Sequence, residues 1–102
     1  MKQFSFVLAF ALLASFSNAQ TLTNSPAASV QAGRGLFLKN CAHCHGADAH
    51  GDEGPDLHKL DWTDEQITTR IRNGKKGQMT AFAGKLSVDQ INEIKDYLRT
   101  LK

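Results

Sequence analysis

Cys41-Ala42-His43-Cys44-His45 lies near the middle of a 102-residue chain and holds its only two cysteines. C-x-x-C-H is the sequence to which c-type haem attaches. The chemistry accounts for the spacing. Two thiols about one helical turn apart can add to the two vinyl groups on one edge of a porphyrin. The residue after the second cysteine then projects its imidazole under the ring, close enough to ligate iron. Three other readings fit the residues less well. A disulfide across so short a loop removes little chain entropy and leaves His45 unexplained. A thioredoxin-like redox pair needs a strand–helix setting, and no strand pattern precedes Cys41. Zinc needs a second pair of ligands; His50 and His58 could supply them, at a spacing that fits no standard finger. The motif therefore predicts one covalent haem c on Cys41 and Cys44, with His45 as the proximal iron ligand.

The segments on either side read as helices, and no stretch alternates apolar and polar residues as a half-buried strand does. A first helix is expected over 27–40, with Val30, Gly33, Leu36 and Phe37 on or near one face. Glycines inside it cost roughly 1 kcal/mol each against Ala and make sense where another backbone approaches closely. Thr63-Asp64-Glu65-Gln66 is a capping box that opens a second helix, in which Ile67 and Ile71 share a face before Asn73-Gly74 stops it. Ser87-Val88-Asp89-Gln90 repeats the box and opens a third, with Ile91, Ile94, Leu98 and Leu101 at helical spacing and Tyr97 beside them. Glycine-rich loops, 46–55 and 74–84, lie between. An all-α domain whose loops wrap something is the expected architecture. Its large apolar residues are few, and a core this thin commonly needs a cofactor or another staple.

Met79 is the candidate for the second axial ligand. A lone methionine is usually core filler, but this one lies in the loop Gly77-Gln78-Met79-Thr80-Ala81-Phe82, off any amphipathic face. A soft thioether opposite histidine favours Fe(II) and raises the reduction potential. With both axial positions filled by protein, small molecules are kept off the iron.

These residues together resemble class I cytochrome c in a short bacterial version, over about 27–102. Gly33 and Phe37 precede Cys41 at the family's spacing. Ile94 and Tyr97 resemble the terminal-helix positions that cross the first helix at its glycine. Gly54-Pro55-Asp56-Leu57 resembles the family's Gly-Pro-x-Leu. That resemblance implies that the Pro55 carbonyl accepts the Nδ1–H of His45, a bond that fixes the ring and makes it a better donor to iron. Met79 and Phe82 resemble the distal loop, with Thr80 standing where many relatives carry proline. The implied fold is the small all-α cytochrome c fold, its N- and C-terminal helices crossing and its loops around one covalent haem.

The N-terminus assigns a compartment. A basic start at Lys2, an apolar run from Phe4 to Phe16 and the small-x-small triplet Ser17-Asn18-Ala19 have the order of a secretory signal peptide. The run is too short to span a bilayer, which takes about 20 apolar residues. The reading is a signal peptide over 1–19, a flexible lead-in over 20–26 and a cytochrome c domain over 27–102, periplasmic and without a membrane span once the leader is cut. Charge is nearly balanced, 12 basic residues against 10 acidic, and gives no support for nucleic-acid binding. Lys75, Lys76 and Lys85 flank the methionine loop and are candidates for docking an acidic redox partner. His43, His50 and His58 read as solvent-facing polar residues. Trp62 reads either as core filling, or as packing on the haem or donating its indole N–H to a haem propionate. No residue set suggests a nucleophile or an acid–base pair, so the expectation is an electron carrier and not an enzyme. The rival readings are a cytochrome subunit of a larger periplasmic dehydrogenase complex, a weak peroxidase in which Met79 leaves the iron, and a thiol–disulfide protein.

Overall fold

A computed structural model describes the chain continuously over 25–102, and outside that stretch only residues 3, 11, 12, 14 and 15. The leader expected over 1–19 and the lead-in up to residue 24 lie outside the continuously described residues. Four helices are present among them: α1 (Pro26–Asn40), α2 (Ala42–His45), α3 (Asp64–Asn73) and α4 (Val88–Leu98). None is long and apolar enough to cross a membrane. The one β feature among the described residues is an isolated antiparallel bridge between Lys75 and Met79.

α1, α3 and α4 each begin where a side chain takes up a free N–H, whereas α2 follows directly on α1 at Cys41 without a side-chain cap. Ser25 accepts from the Ala28 N–H at 3.1 Å, and Pro26 follows at the first helical position, where its fixed φ suits the helix and its missing N–H is no loss. α1 therefore starts one residue before the expected 27, at a proline that the sequence reading left in the lead-in. Both capping boxes are complete. Thr63 and Gln66 bond reciprocally at 2.8 and 3.1 Å, as do Ser87 and Gln90 at 2.9 and 3.1 Å. α4 ends at Leu98, short of the Leu101 that helical spacing suggested. Leu101 still packs against the core, and its carbonyl accepts the Lys59 N–H at 3.1 Å.

α1 and α4 cross at Gly33. A Cβ added there would collide with the Glu93 carbonyl and stand 3.0 Å from the Ile94 nitrogen, so the two backbones nearly touch. Gly35 differs: a Cβ on it would meet nothing within 4 Å. Of the two glycines, only Gly33 marks the crossing. Around it Phe37 and Ile94 are fully buried, and the Phe37 ring lies tilted against Tyr97 with centroids 5.4 Å apart. A polar link completes the seam, the Ser29 hydroxyl donating to Asp96 at 2.6 Å.

α3 is held on α4 by apolar contact through Ile67, Ile71, Ile91 and Leu98 and by Arg99. Its guanidinium donates to Asp64 at 2.7 Å, to the Leu60 carbonyl at 3.2 Å and to the Trp62 carbonyl. Trp62 itself is 39% exposed and stands outside the core, with the Arg70 guanidinium 5.1 Å from its ring centroid. Core filling is thus not its role.

Candidate functional site

The chain leaves α1 at Cys41 and turns at once into the single turn of α2, which carries Cys44 and His45. Sequence reading gave the motif its helical spacing but no helix of its own. A helix this short leaves its last carbonyls without partners inside it, and the following loop supplies them. The Gly54 N–H donates to the Cys44 carbonyl at 2.6 Å, and the Gly51 N–H to the His45 carbonyl at 2.8 Å. Gly51 has φ of +106°, a conformation that glycine adopts without strain. The loop thus folds back onto the motif and brings Pro55 to His45.

His45 is 8% exposed, and its Nδ1 lies 2.9 Å from the Pro55 carbonyl oxygen. A carbonyl only accepts, so the ring carries its proton on Nδ1 and keeps the Nε2 lone pair free. No sealed side-chain nitrogen or oxygen among the described residues lacks a partner. Gly54 fits closely under this ring: a Cβ there would stand 2.8 Å from Cε1 and 2.9 Å from Nδ1. Its side-chain-free contact with the imidazole was not legible in the sequence, where it stood only as part of Gly-Pro-x-Leu.

Both thiols are free. Burial first, and the neighbouring Cys44 second, push the Cys41 thiol up to about 11. Redox-active C-x-x-C pairs work through a depressed thiol pKa. Cys41 has the opposite environment, one suited to a sulfur that ends in a neutral thioether.

Met79 is half-buried and packs against the same apolar cluster that contains Cys41 and Phe82. Its loop is more tightly built than a glycine-rich stretch suggests. Lys75 and Met79 exchange two backbone hydrogen bonds of 2.9 and 2.8 Å, and the Phe82 and Ala83 N–H groups return to the Ile71 and Arg72 carbonyls of α3. Gly74, with φ of +64°, turns the chain where a Cβ would strike the backbone of 79–81. This bridge holds the segment around Thr80 without proline. Lys75, Lys76 and Lys85 are all exposed; Lys85 lies over the Phe82 ring, 5.8 Å from its centroid.

A family model described as cytochrome c oxidase, cbb3-type, subunit III matches residues 28–98. The chain belongs to this cytochrome c family. Among its relatives, the cbb3-type oxidase subunit CcoP of Rubrivivax gelatinosus is 35% identical over 89 residues, which is 81% of this chain and 29% of the relative. The subunit FixP of Azorhizobium caulinodans is 38% identical over 82 residues, 68% of this chain and 28% of its own. The cytochrome c domain thus spans about three tenths of the length of these curated relatives. Among solved structures, cytochrome cL of Methylophaga aminisulfidivorans superposes with a TM-score of 0.69 at 28% identity, over 78% of this chain and 57% of that one. Cytochrome c6 of the diatom Phaeodactylum tricornutum gives 0.62 at 33% identity, over 70% and 91%. The cofactor of this cytochrome c fold is haem c. The residues fit it on three counts: two thiols one turn apart, an imidazole held by one nitrogen with the other free, and a glycine where a side chain would displace that imidazole. His43, inside the motif, is exposed as expected. His50 is exposed as expected, but His58 is half-buried, its ring stacked on that of His50.

Proposed function

We propose that this cytochrome c domain is an exported monohaem carrier that passes single electrons between redox partners and turns over no substrate. When bound, haem c supplies the one-electron Fe(III)/Fe(II) couple. Cys41 and Cys44 would hold it as thioethers, and His45 would ligate iron through Nε2 while the Pro55 carbonyl fixes the ring. Met79 would supply the second protein ligand and keep small molecules away. The observation that carries this reading is the His45–Pro55 hydrogen bond of 2.9 Å, which commits the imidazole to one tautomer and one orientation. Export through the leader at 1–19 to the periplasm and docking of an acidic partner on Lys75, Lys76 and Lys85 belong to the same proposal.

Protein matured alongside a haem-attachment system should carry one haem that survives denaturation and acid–acetone extraction. Cys41→Ala and Cys44→Ala should each reduce the yield of coloured protein, and the double variant should retain none. Met79→Ala should abolish the weak near-infrared sulfur-to-iron band, admit carbon monoxide and lower the potential. Colourless wild-type protein overturns the haem reading; a band that persists in the variant overturns Met79.

A second reading is favoured by the relatives named as cbb3-type oxidase subunits, in which the matching part is a minor share of the length. On that reading the domain accepts electrons inside a larger complex. Co-purification in a stable assembly, against a free monomer on size exclusion, separates the two.

A further inference from the structure

The loop that delivers Pro55 to His45 also builds a second group of side chains. The Leu57 N–H donates to the Ala49 carbonyl at 2.8 Å, and Ala49 is completely buried. That bond lays the segments ending in Ala49 and Leu57 side by side, so the next residue of each, His50 and His58, meet. Their rings stack with centroids 3.7 Å apart and planes within 5°. Asp56 stands against both: one carboxylate oxygen lies 2.8 Å from His58 Nδ1 and the other 3.4 Å from His50 Nδ1. The His58 backbone N–H donates to the first of these oxygens at 2.8 Å and fixes the carboxylate. That backbone bond is the leading reason the Asp56 carboxyl is held down at about 2, with the His58 ring bond next.

We propose that His50, Asp56 and His58 bind one divalent cation of the zinc–copper class, through the Nδ1 atoms of the two imidazoles and one carboxylate oxygen. Imidazole with carboxylate is the donor set that suits zinc, copper and nickel. The donor atoms are gathered near the separations such an ion needs. Tetrahedral zinc with bonds of about 2.0–2.1 Å places its donors about 3.3 Å apart. The three ligand atoms already fall within 4.8 Å of one another, and the carboxylate reaches both rings, one oxygen 2.8 Å from His58 Nδ1 and the other 3.4 Å from His50 Nδ1. Parallel stacked rings cannot aim both Nδ1 lone pairs at one point, so binding requires the His50 ring, whose side chain is 60% exposed, to swing out of the stack. On binding, each imidazole presents the Nδ1 lone pair and carries its proton on Nε2, and water completes the shell. Asp56 follows Pro55 directly, so a bound ion clamps the loop that orients His45. The site uses none of the residues assigned to haem, and its test is separate.

Isothermal titration of the haem-loaded protein with zinc chloride, in a non-chelating buffer, should give one ion per chain. His58→Ala and Asp56→Asn should each weaken it by at least about tenfold, as expected for loss of a group on which a metal depends. Asp56→Asn keeps an acceptor for the His58 N–H, and helical circular dichroism verifies its fold. His43→Ala, at the exposed histidine of the motif, should leave binding unchanged. Zinc should also raise the unfolding midpoint of the wild type and leave that of Asp56→Asn unmoved. No uptake at millimolar zinc, or uptake that survives both substitutions, overturns the site.

Discussion

At the scale of single residues, the chemistry turns on how closely Gly54 lies under His45. A methyl group at 54 would press on Cε1 and Nδ1 at under 3 Å, well inside ordinary van der Waals contact, and the ring is the part that can move. Gly54→Ala should therefore disturb the His45–Pro55 bond and, on the proposed ligation, weaken the hold of His45 on iron. The expected result is a haem spectrum with a high-spin component and carbon monoxide binding that the wild type lacks. An unaltered spectrum would mean that the loop yields instead of the ring. The motif is recognisable in the sequence by the identities and spacing of Cys41, Cys44 and His45, whose attachment and ligand roles are those proposed above. The Pro55 carbonyl was reached only through resemblance, since a backbone acceptor leaves no mark of its own in a sequence. The His50–Asp56–His58 group was missed for a related reason. Its members sit six and two residues apart, with no periodicity, and only the Ala49–Leu57 hydrogen bond brings them together.

At the scale of elements, α1 and α4 give a pair of opposed expectations. Gly33→Ala places a methyl group into the Glu93 carbonyl, and backbone cannot rotate away. Overpacking of this kind costs about 1–3 kcal/mol or more. Gly35→Ala meets nothing within 4 Å, so it should gain about 0.5–1 kcal/mol from helix propensity alone. Urea unfolding of the two variants should move in opposite directions; a common direction would mean the crossing is misplaced. Helix propensity gives both glycines the same explanation, and only the family spacing singles out Gly33; the Glu93 carbonyl supplies the physical reason, a contact that depends on the angle at which the helices meet. Asp96 yields a pH dependence at the same seam. The Lys95 ammonium first and the Ser29 hydroxyl second hold its carboxyl below the usual value of 3.8. A carboxylate depressed in the folded state contributes stability above its unfolded pKa and loses it as pH falls through the folded one. Wild-type stability should thus decline as pH drops below about 4, and Asp96→Asn should show a shallower decline. Parallel curves would show that Ser29 and Lys95 leave the titration of Asp96 untouched. The group is partly exposed, so the effect is modest.

At the scale of the whole molecule, charge and connectivity matter more than any one contact. Exposed Lys75, Lys76 and Lys85 lie around the Met79 loop, and steering by such a patch acts on association rate. It is screened over about 10 Å at roughly 0.1 M salt. Electron transfer with an acidic partner should slow as salt rises. Lys75→Glu with Lys76→Glu should slow it at low salt with little change in potential; indifference to both would make the docking apolar. The all-α class and the helix crossing were readable from caps, periodicity and family spacing. The clamp of Arg99 on Asp64, Leu60 and Trp62 was not, because it joins segments 35 to 39 residues apart through polar groups that follow no pattern. The α1–α4 seam has one more consequence. It unites the first and last helices of the described domain, while the motif loop and the methionine loop lie between them in sequence. A protease that nicks the chain once at exposed Gly77-Gln78 would therefore produce two fragments with one of these helices in each. The seam would hold them as a noncovalent heterodimer that separates only on denaturation.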